Sequence, residues 1–230
     1  MGTGPAGSGA AAAEPSGFPS GGSLPPAGHR LDEADLDPDP LAQFRRWLDD
    51  ARLLGLPEPT AMVLATADGA GRPSSRHVLL KRVDQGFVFF TNYGSRKGRE
   101  LDANPRASLC FPWFAIGRQV IVEGDVAKIT RAETEEYFAT RPRPSQLGAW
   151  ASEHQSQVVP SREWLDRRYA EVEARFAEQD VVPAPPYWGG FRLIPTSIEF
   201  WQARPARMHD RLRYRRADAD HPWHIERLSP

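Results

Sequence analysis

Between Ala61 and Val126 the chain alternates short β-forming runs with tight-turn chemistry, and that spacing leaves room for little except an antiparallel sheet. The run AMVLAT at 61–66 meets the turn Asp68-Gly69-Ala70-Gly71, a strand over 76–83 meets Asp84-Gln85-Gly86, and an apolar run over 87–91 follows. Two further strands are predicted over 106–113 (RASLCFPW) and 118–126 (RQVIVEGDV). Closely spaced strands with short turns point to a barrel or closed sheet, because closure removes exposed edges.

Helices flank this sheet. Leu41, Phe44, Trp47, Leu48 and Ala51 recur at three- and four-residue spacing, which predicts an amphipathic helix ending before Gly55 and Pro57. Thr130-Arg131-Ala132-Glu133 has the capping-box pattern, so a helix runs to about Thr140, where Pro142 and Pro144 stop it. Pro160-Ser161 starts a long helix with Leu165, Tyr169, Val172 and Phe176 as its buried stripe. After the PAPP connector, one strand passes through Phe191, Leu193 and Ile194, another covers 198–201, and a closing hairpin joins 212–215 to 223–228. The predicted class is mainly β with flanking helices, α+β.

A length of 230 residues suits one medium domain. We expect a disordered tail over 1–38, where the Gly-, Ala-, Ser- and Pro-rich start buries too little surface to order itself, and a single domain over 39–230. The start lacks the basic and apolar blocks of a signal peptide, and no run approaches the ~18 apolar residues of a membrane-spanning helix. A soluble protein with no membrane partner is expected. Lys+Arg at 29 against Asp+Glu at 30 leaves a net charge of -1, which argues against nucleic acid as a partner. The single Cys110 excludes an intramolecular disulfide, makes a cysteine metal site improbable and fits a cytoplasmic location.

With no global basic field, an anion site must come from local clusters, and four stand out. Ser95 can cap a helix whose first turn carries Arg96 and Lys97 at the wrong end of the macrodipole, which points to a bound anion such as a phosphate. Solvated surface cations are the competing reading. Arg76 and Lys81 are an odd number of residues apart, so in one regular strand they face opposite ways and serve different anions or different ends of a site. Tyr137 and Arg141 are four apart and, with Ser145, can grip an anion from one side; a simple helix C-cap is the alternative. In the run Arg207-Met208-His209-Asp210-Arg211, an extended backbone points Arg207, His209 and Arg211 the same way, an arrangement that calls for a ligand or carboxylate.

Six segments in order carry a resemblance: RHVLLK, FFTNYGSRKG, FPWFAIGRQV, YFATRPRPSQLGAWAS, WGGFR and EFWQARPARMHDR. From about Asp39 to Pro230 the chain resembles the FMN-dependent pyridoxamine/pyridoxine 5′-phosphate oxidases of vitamin B6 metabolism. The resemblance implies an FMN-binding split β-barrel of Greek-key type, a homodimer with FMN at the subunit interface, and oxidation of the vitamer phosphate by O2 to pyridoxal 5′-phosphate with release of hydrogen peroxide. It places FMN on Arg76, His77, Val78, Leu79, Leu80 and Lys81, on Phe90 and Thr91, on Arg96 and Lys97, and on Gln119, Gln155, Ser156, Trp201 and Arg211. The substrate falls on Lys81, Tyr137, Arg141 and Ser145 around its phosphate and on Arg207, Met208 and His209 over its ring, with Arg207 and His209 as the catalytic pair. The chain departs from the family at Phe90, where Tyr is common, and by an extra residue near His154. The 23–28 region also lacks the Arg and Tyr that fold over the substrate in many members. A flavin reductase on the same barrel and a non-catalytic module binding FMN or pyridoxal 5′-phosphate are the rival readings.

Overall fold

The computed structural model describes residues 30–230. Most of the expected tail therefore lies outside the described residues. Nine strands run in chain order: β1 (Ala61–Ala67), β2 (Pro73–Leu79), β3 (Arg82–Val83), β4 (Phe87–Asn92), β5 (Arg106–Trp113), β6 (Arg118–Lys128), β7 (Trp188–Gln202), β8 (Asp210–Arg215) and β9 (His224–Arg227). Five α-helices accompany them: α1 (Pro40–Leu53), α2 (Arg96–Ala103), α3 (Arg131–Ala139), α4 (Arg143–Ala151) and α5 (Arg162–Arg175). The strands form one curled antiparallel sheet in the order β2-β1-β5-β6-β7-β4-β3, with β8 paired to the far half of β7 and β9 to β8. This is the mainly β architecture with flanking helices that the turn spacing predicts.

Strand alternation builds the core. Met62 and Leu64 of β1, Leu109 and Phe111 of β5, and Val120 and Val122 of β6 all turn to one face and are fully buried. The α1 helix plugs that face. Asp39 accepts the Leu41 N–H at its N-cap and Pro40 begins the first turn, so the helix starts where its apolar stripe meets the sheet. Phe44 sits 4.8 Å from the rings of both Phe87 and Phe111, and Trp47 lies edge-on to Phe200 at 5.0 Å. Each such side chain contributes about 1.5–3 kcal/mol by leaving water. A second core, Phe138, Leu147, Val172, Phe176 and Trp188, joins α3, α4 and α5 to the start of β7.

Several expectations require correction. Order begins before Asp39: Leu31 and Leu36 are buried in the main core, because two leucines in an otherwise polar stretch suffice to seat it. The strand expected over 76–83 breaks after Leu79, since Leu80 turns into the core and gives its N–H to Thr60. Lys81 therefore lies outside the strand, and the odd-spacing argument for Arg76 and Lys81 does not apply. The two strands expected after the PAPP connector are one, β7. Its Pro195 faces Gly124 where the β6–β7 register shifts, so the missing proline donor falls at a bulge. Pro142 does end α3, but Pro144 occupies the first turn of the unforeseen α4, where a missing N–H costs nothing. Leu165 is exposed, because α5 packs through Val172 and Phe176 at its other end.

The 207–211 run is not extended either. Pro205–Arg207 forms a 3-10 turn in which Ala206 and Arg207 have left-handed φ of 54° and 59°, and β8 starts only at Asp210. The alternation that would align Arg207, His209 and Arg211 is lost.

The start of α2 presses closely on the preceding loop: a Cβ on Gly98 would collide with the Tyr93 carbonyl. Gly98→Ala should therefore destabilise the protein by about 1–3 kcal/mol, as overpacking does. Thermal melts followed by circular dichroism would show it, and an unchanged melting temperature would contradict this packing.

Candidate functional site

Where β2, the end of β4, α2, α3 and α4 meet, they enclose a cleft of about 640 Å³. His77, Val78 and Leu79 form one wall, Phe90 and Thr91 another, and Lys81, Lys97, Tyr137, Arg141, Ser145 and Gln155 complete it. These residues come from segments as far apart as 77 and 155, and the sheet brings them together.

The floor is an aromatic stack. Phe90 lies 4.0 Å from Tyr137 and 5.2 Å from Trp188, with all three rings near parallel. The Arg141 guanidinium rests 4.7 Å over Trp188, and its buried Nη1 has no hydrogen-bond partner. Burial disfavours the charged forms of Arg141 and Lys97 and pushes both pKa values down, and Arg76 lowers that of Lys97 further. Arg141 still stays charged, as arginine does. Burial pushes the Tyr137 hydroxyl up, so it remains a neutral donor.

Cations here are sorted by a carboxylate that the sequence reading overlooked. Glu100 is buried and accepts from Thr66 at 2.5 Å, Ser74 at 2.6 Å, Arg76 at 3.2 Å and Arg96 at 2.7 Å. Arg76 also donates to the Leu64 carbonyl and Thr66. Arg76 and Arg96 thus bind within the chain, whereas no carboxylate pairs with Lys81, Lys97 or Arg141 among the described residues. Lys97 instead donates to Thr91 at 3.1 Å, and Thr91 donates to Gln155 at 3.3 Å, which lines up three polar groups along one edge of the cleft. Ser95 caps α2 as the sequence predicts, accepting from Gly98 N–H.

Other predicted residues lie elsewhere. Leu80 is in the core, and Ser156, at a left-handed φ of 70°, follows Gln155 outside the cleft lining. Gln119, Trp201 and Arg211 are register neighbours across β6, β7 and β8, and the His209 ring packs 4.6 Å from Trp201. Arg207 and Met208 are exposed beside them. Arg211 is held by both oxygens of Glu199, at 2.7 and 3.0 Å. Trp188 lines the cleft and Trp201 belongs to this second strip. At about 3.3 Å per residue the two are on the order of 40 Å apart along β7.

Asn92, Ser152 and Trp188 line the cleft without having been singled out. Asn92 pins the α4 exit by donating to the Ser152 and Glu153 carbonyls at 2.9 Å. The signal for Trp188 was its place in WGGFR; Asn92 and Ser152 depend on α4, which local pattern did not reveal.

A barrel whose cleft gathers cations without carboxylate partners above an aromatic floor has the chemistry to take a flat, anionic ligand. Residues 48–176 match the pyridoxamine 5′-phosphate oxidase family model, and residues 188–230 match the pyridoxine 5′-phosphate oxidase C-terminal dimerisation region. A pyridoxine/pyridoxamine 5′-phosphate oxidase of Acidothermus cellulolyticus is 74% identical over 201 residues, covering 87% of this chain and 90% of that one. One of Salinispora arenicola is 56% identical over 220 residues, covering 92% and 99%. Among solved structures, PhzG of Burkholderia lata in complex with tetrahydrophenazine-1-carboxylic acid superposes with a TM-score of 0.81 at 35% identity, covering 89% and 100%. The chain belongs to the pyridoxamine 5′-phosphate oxidase family.

Burial alone would raise the Glu100 carboxyl, but hydrogen bonds from Ser74, Thr66, Arg96 and Arg76 outweigh it and hold the pKa at about 2, below the ordinary 4.5. A depressed acid stabilises the fold above its unfolded pKa, and that contribution fades as pH falls through the folded value. The shift corresponds to about 3 kcal/mol, lost between pH 5 and 2. Melting temperatures across that range should fall less steeply in Glu100→Gln than in the parent; parallel curves would contradict the assignment.

Proposed function

We propose that the protein is an FMN-dependent oxidase that converts pyridoxamine 5′-phosphate or pyridoxine 5′-phosphate with O2 to pyridoxal 5′-phosphate and hydrogen peroxide, acting as a homodimer. The observation that carries this reading is the set of three cleft cations without a carboxylate, one with an orphaned buried donor. Lys97 and Arg141 are half-buried and Lys81 is exposed at the rim. Clustered charges of one sign, two of them partly shielded from water, call for a counter-charge, and two phosphates, from cofactor and substrate, supply it. Conversion of the amine vitamer also consumes water and releases ammonia.

The residues fit both groups. Lys97, with Thr91 and Gln155 in line, suits the FMN phosphate and its polar chain. Lys81, Tyr137, Arg141 and Ser145 suit the substrate phosphate, fixing it away from the reacting carbon so that binding energy orients the ring. FMN, when bound, supplies the acceptor for the two electrons removed at the substrate's 4′ carbon and the means to pass them to O2. Arg207 donates to the ring oxygen side without deprotonating, and His209 contacts the amine or alcohol that is oxidised.

The strip carrying Gln119, Trp201, Arg207, Met208, His209 and Arg211 lies at the far end of β7 from Trp188, and none of its residues lines the cleft of its own chain. In a twofold dimer that strip of one copy faces the cleft of the other, so that each flavin site is built from both. The match to a dimerisation region over 188–230 supports this arrangement.

Anaerobic addition of pyridoxamine 5′-phosphate to the flavin-loaded protein should bleach the absorbance near ~450 nm, and air should restore it as pyridoxal 5′-phosphate appears. A flavin that stays oxidised would instead favour a reductase with another substrate. Arg141→Ala should raise KM for the vitamer by at least about tenfold, the worth of a charged hydrogen bond, with FMN affinity unchanged. Lys97→Ala should weaken FMN binding first. The reverse pattern would exchange the two phosphate assignments.

A further inference from the structure

Asp210 opens β8 directly after the Arg207-Met208-His209 turn, and its side chain is 13% exposed. One carboxylate oxygen accepts the Leu31 backbone N–H at 3.1 Å, and the other accepts Arg227 Nη1 at 3.1 Å. Arg204 Nε stands 3.5 Å from the first. The chain start at Leu31, the residue ahead of the turn and the neighbouring strand β9 therefore meet on one carboxylate. The turn beside it is strained, because Ala206 and Arg207 both occupy the left-handed region without being glycine. Such a conformation persists only where its surroundings hold it. Within the turn, Met208 N–H reaches the Pro205 carbonyl and Arg204 N–H reaches His209 Nδ1, both at 3.1 Å. These bonds shape the turn, and the Asp210 carboxylate at its exit ties it to Leu31 and Arg227.

Arg227 faces two other carboxylates, Asp32 and Glu33, but these are 39% and 49% exposed and weakened by solvent. Asp210 is the shielded partner. We propose that Asp210 is a positioning residue: its carboxylate clasps the Arg207–His209 turn to the chain at Leu31 and to Arg227 of β9, holding Arg207 and His209 in the geometry that oxidation requires. This rests on the reading above, in which those two side chains serve the substrate. Asparagine keeps the size and one acceptor but turns an amide N–H2 either toward Arg227 or toward Leu31 N–H and Arg204, so the clasp cannot be completed.

The test compares full-length, FMN-loaded Asp210→Asn, Arg227→Met and the double variant with the parent. Each single change should lower kcat/KM for pyridoxamine 5′-phosphate about tenfold, mainly through kcat, as a small misplacement does. The double variant should lose no more than the worse single one, because both break the same contact. Flavin content and melting temperature should stay near the parent's, and deuterium exchange of residues 204–211 should quicken. A kcat/KM within about twofold of the parent in Asp210→Asn, or a loss that follows flavin content or melting temperature, would overturn the proposal. Should the parent fail to oxidise the vitamer, the functional reading fails on its own. Exchange then decides the clasp: faster in both variants supports it, and unchanged overturns it.

Discussion

Glu100, through its buried carboxylate, ties the helix that carries Lys97 to the sheet beside the cleft. Its side chain lies at the junction of β1, β2 and α2, shielded from water, and draws in Thr66, Ser74, Arg76 and Arg96. A buried carboxylate needs that many donors, and it engages two arginines of neighbouring elements within the chain while leaving the trio with a net positive charge. Lys97, one residue from Arg96 on the same helical turn, is directed the other way, to Thr91 and the cleft. The helix start that looks overloaded with positive charge thus sends Arg96 to Glu100 and Lys97 to Thr91 at the edge of the cleft.

Much of this architecture was legible in the sequence, and the exceptions share a cause. The strands from Ala61 to Val126 and the capped helices at Asp39, Ser95, Thr130 and Ser161 follow from period, turn chemistry and capping side chains, all of which are local. What escaped depends on partners distant in sequence. The unity of β7 across Pro195 requires Gly124 to sit opposite, and the break after Leu79 requires the Thr60 carbonyl. The backbone of Leu31 meets Asp210 and Arg227, far along the chain, while its side chain packs in the core. A proline was read as a terminator at 144 because its use in the first turn of a new helix cannot be told from a stop without the α4–α5 packing it serves.

The site shows the same division. Residues of the cleft were recognisable as a group by their family pattern, and the structure gathers His77, Lys81, Thr91, Lys97, Tyr137, Arg141, Ser145 and Gln155 around one cavity. Alternation along an assumed strand failed at both places where it was applied, Lys81 and the 207–211 run. In each, the chain leaves the regular strand, at Leu80 and Lys81 between β2 and β3 and in the 3-10 turn Pro205–Arg207 before β8. The role of Glu100 had no local signal, since a glutamate inside a polar helix turn looks solvated until the sheet closes over it.

Two groups of residues thus occupy opposite ends of β7, and the account stands on their union across two subunits. The direct test is complementation. Lys97→Ala and Arg207→Ala chains, each carrying one defect, are unfolded together and refolded as a mixture. If each site takes its cleft from one chain and its Arg207 strip from the other, half the dimers are mixed and each holds one intact site, giving roughly a quarter of the parental oxidation rate. A mixture no more active than the two variants measured separately would contradict the shared site and, with it, the assignment of the Arg207–His209 turn to catalysis.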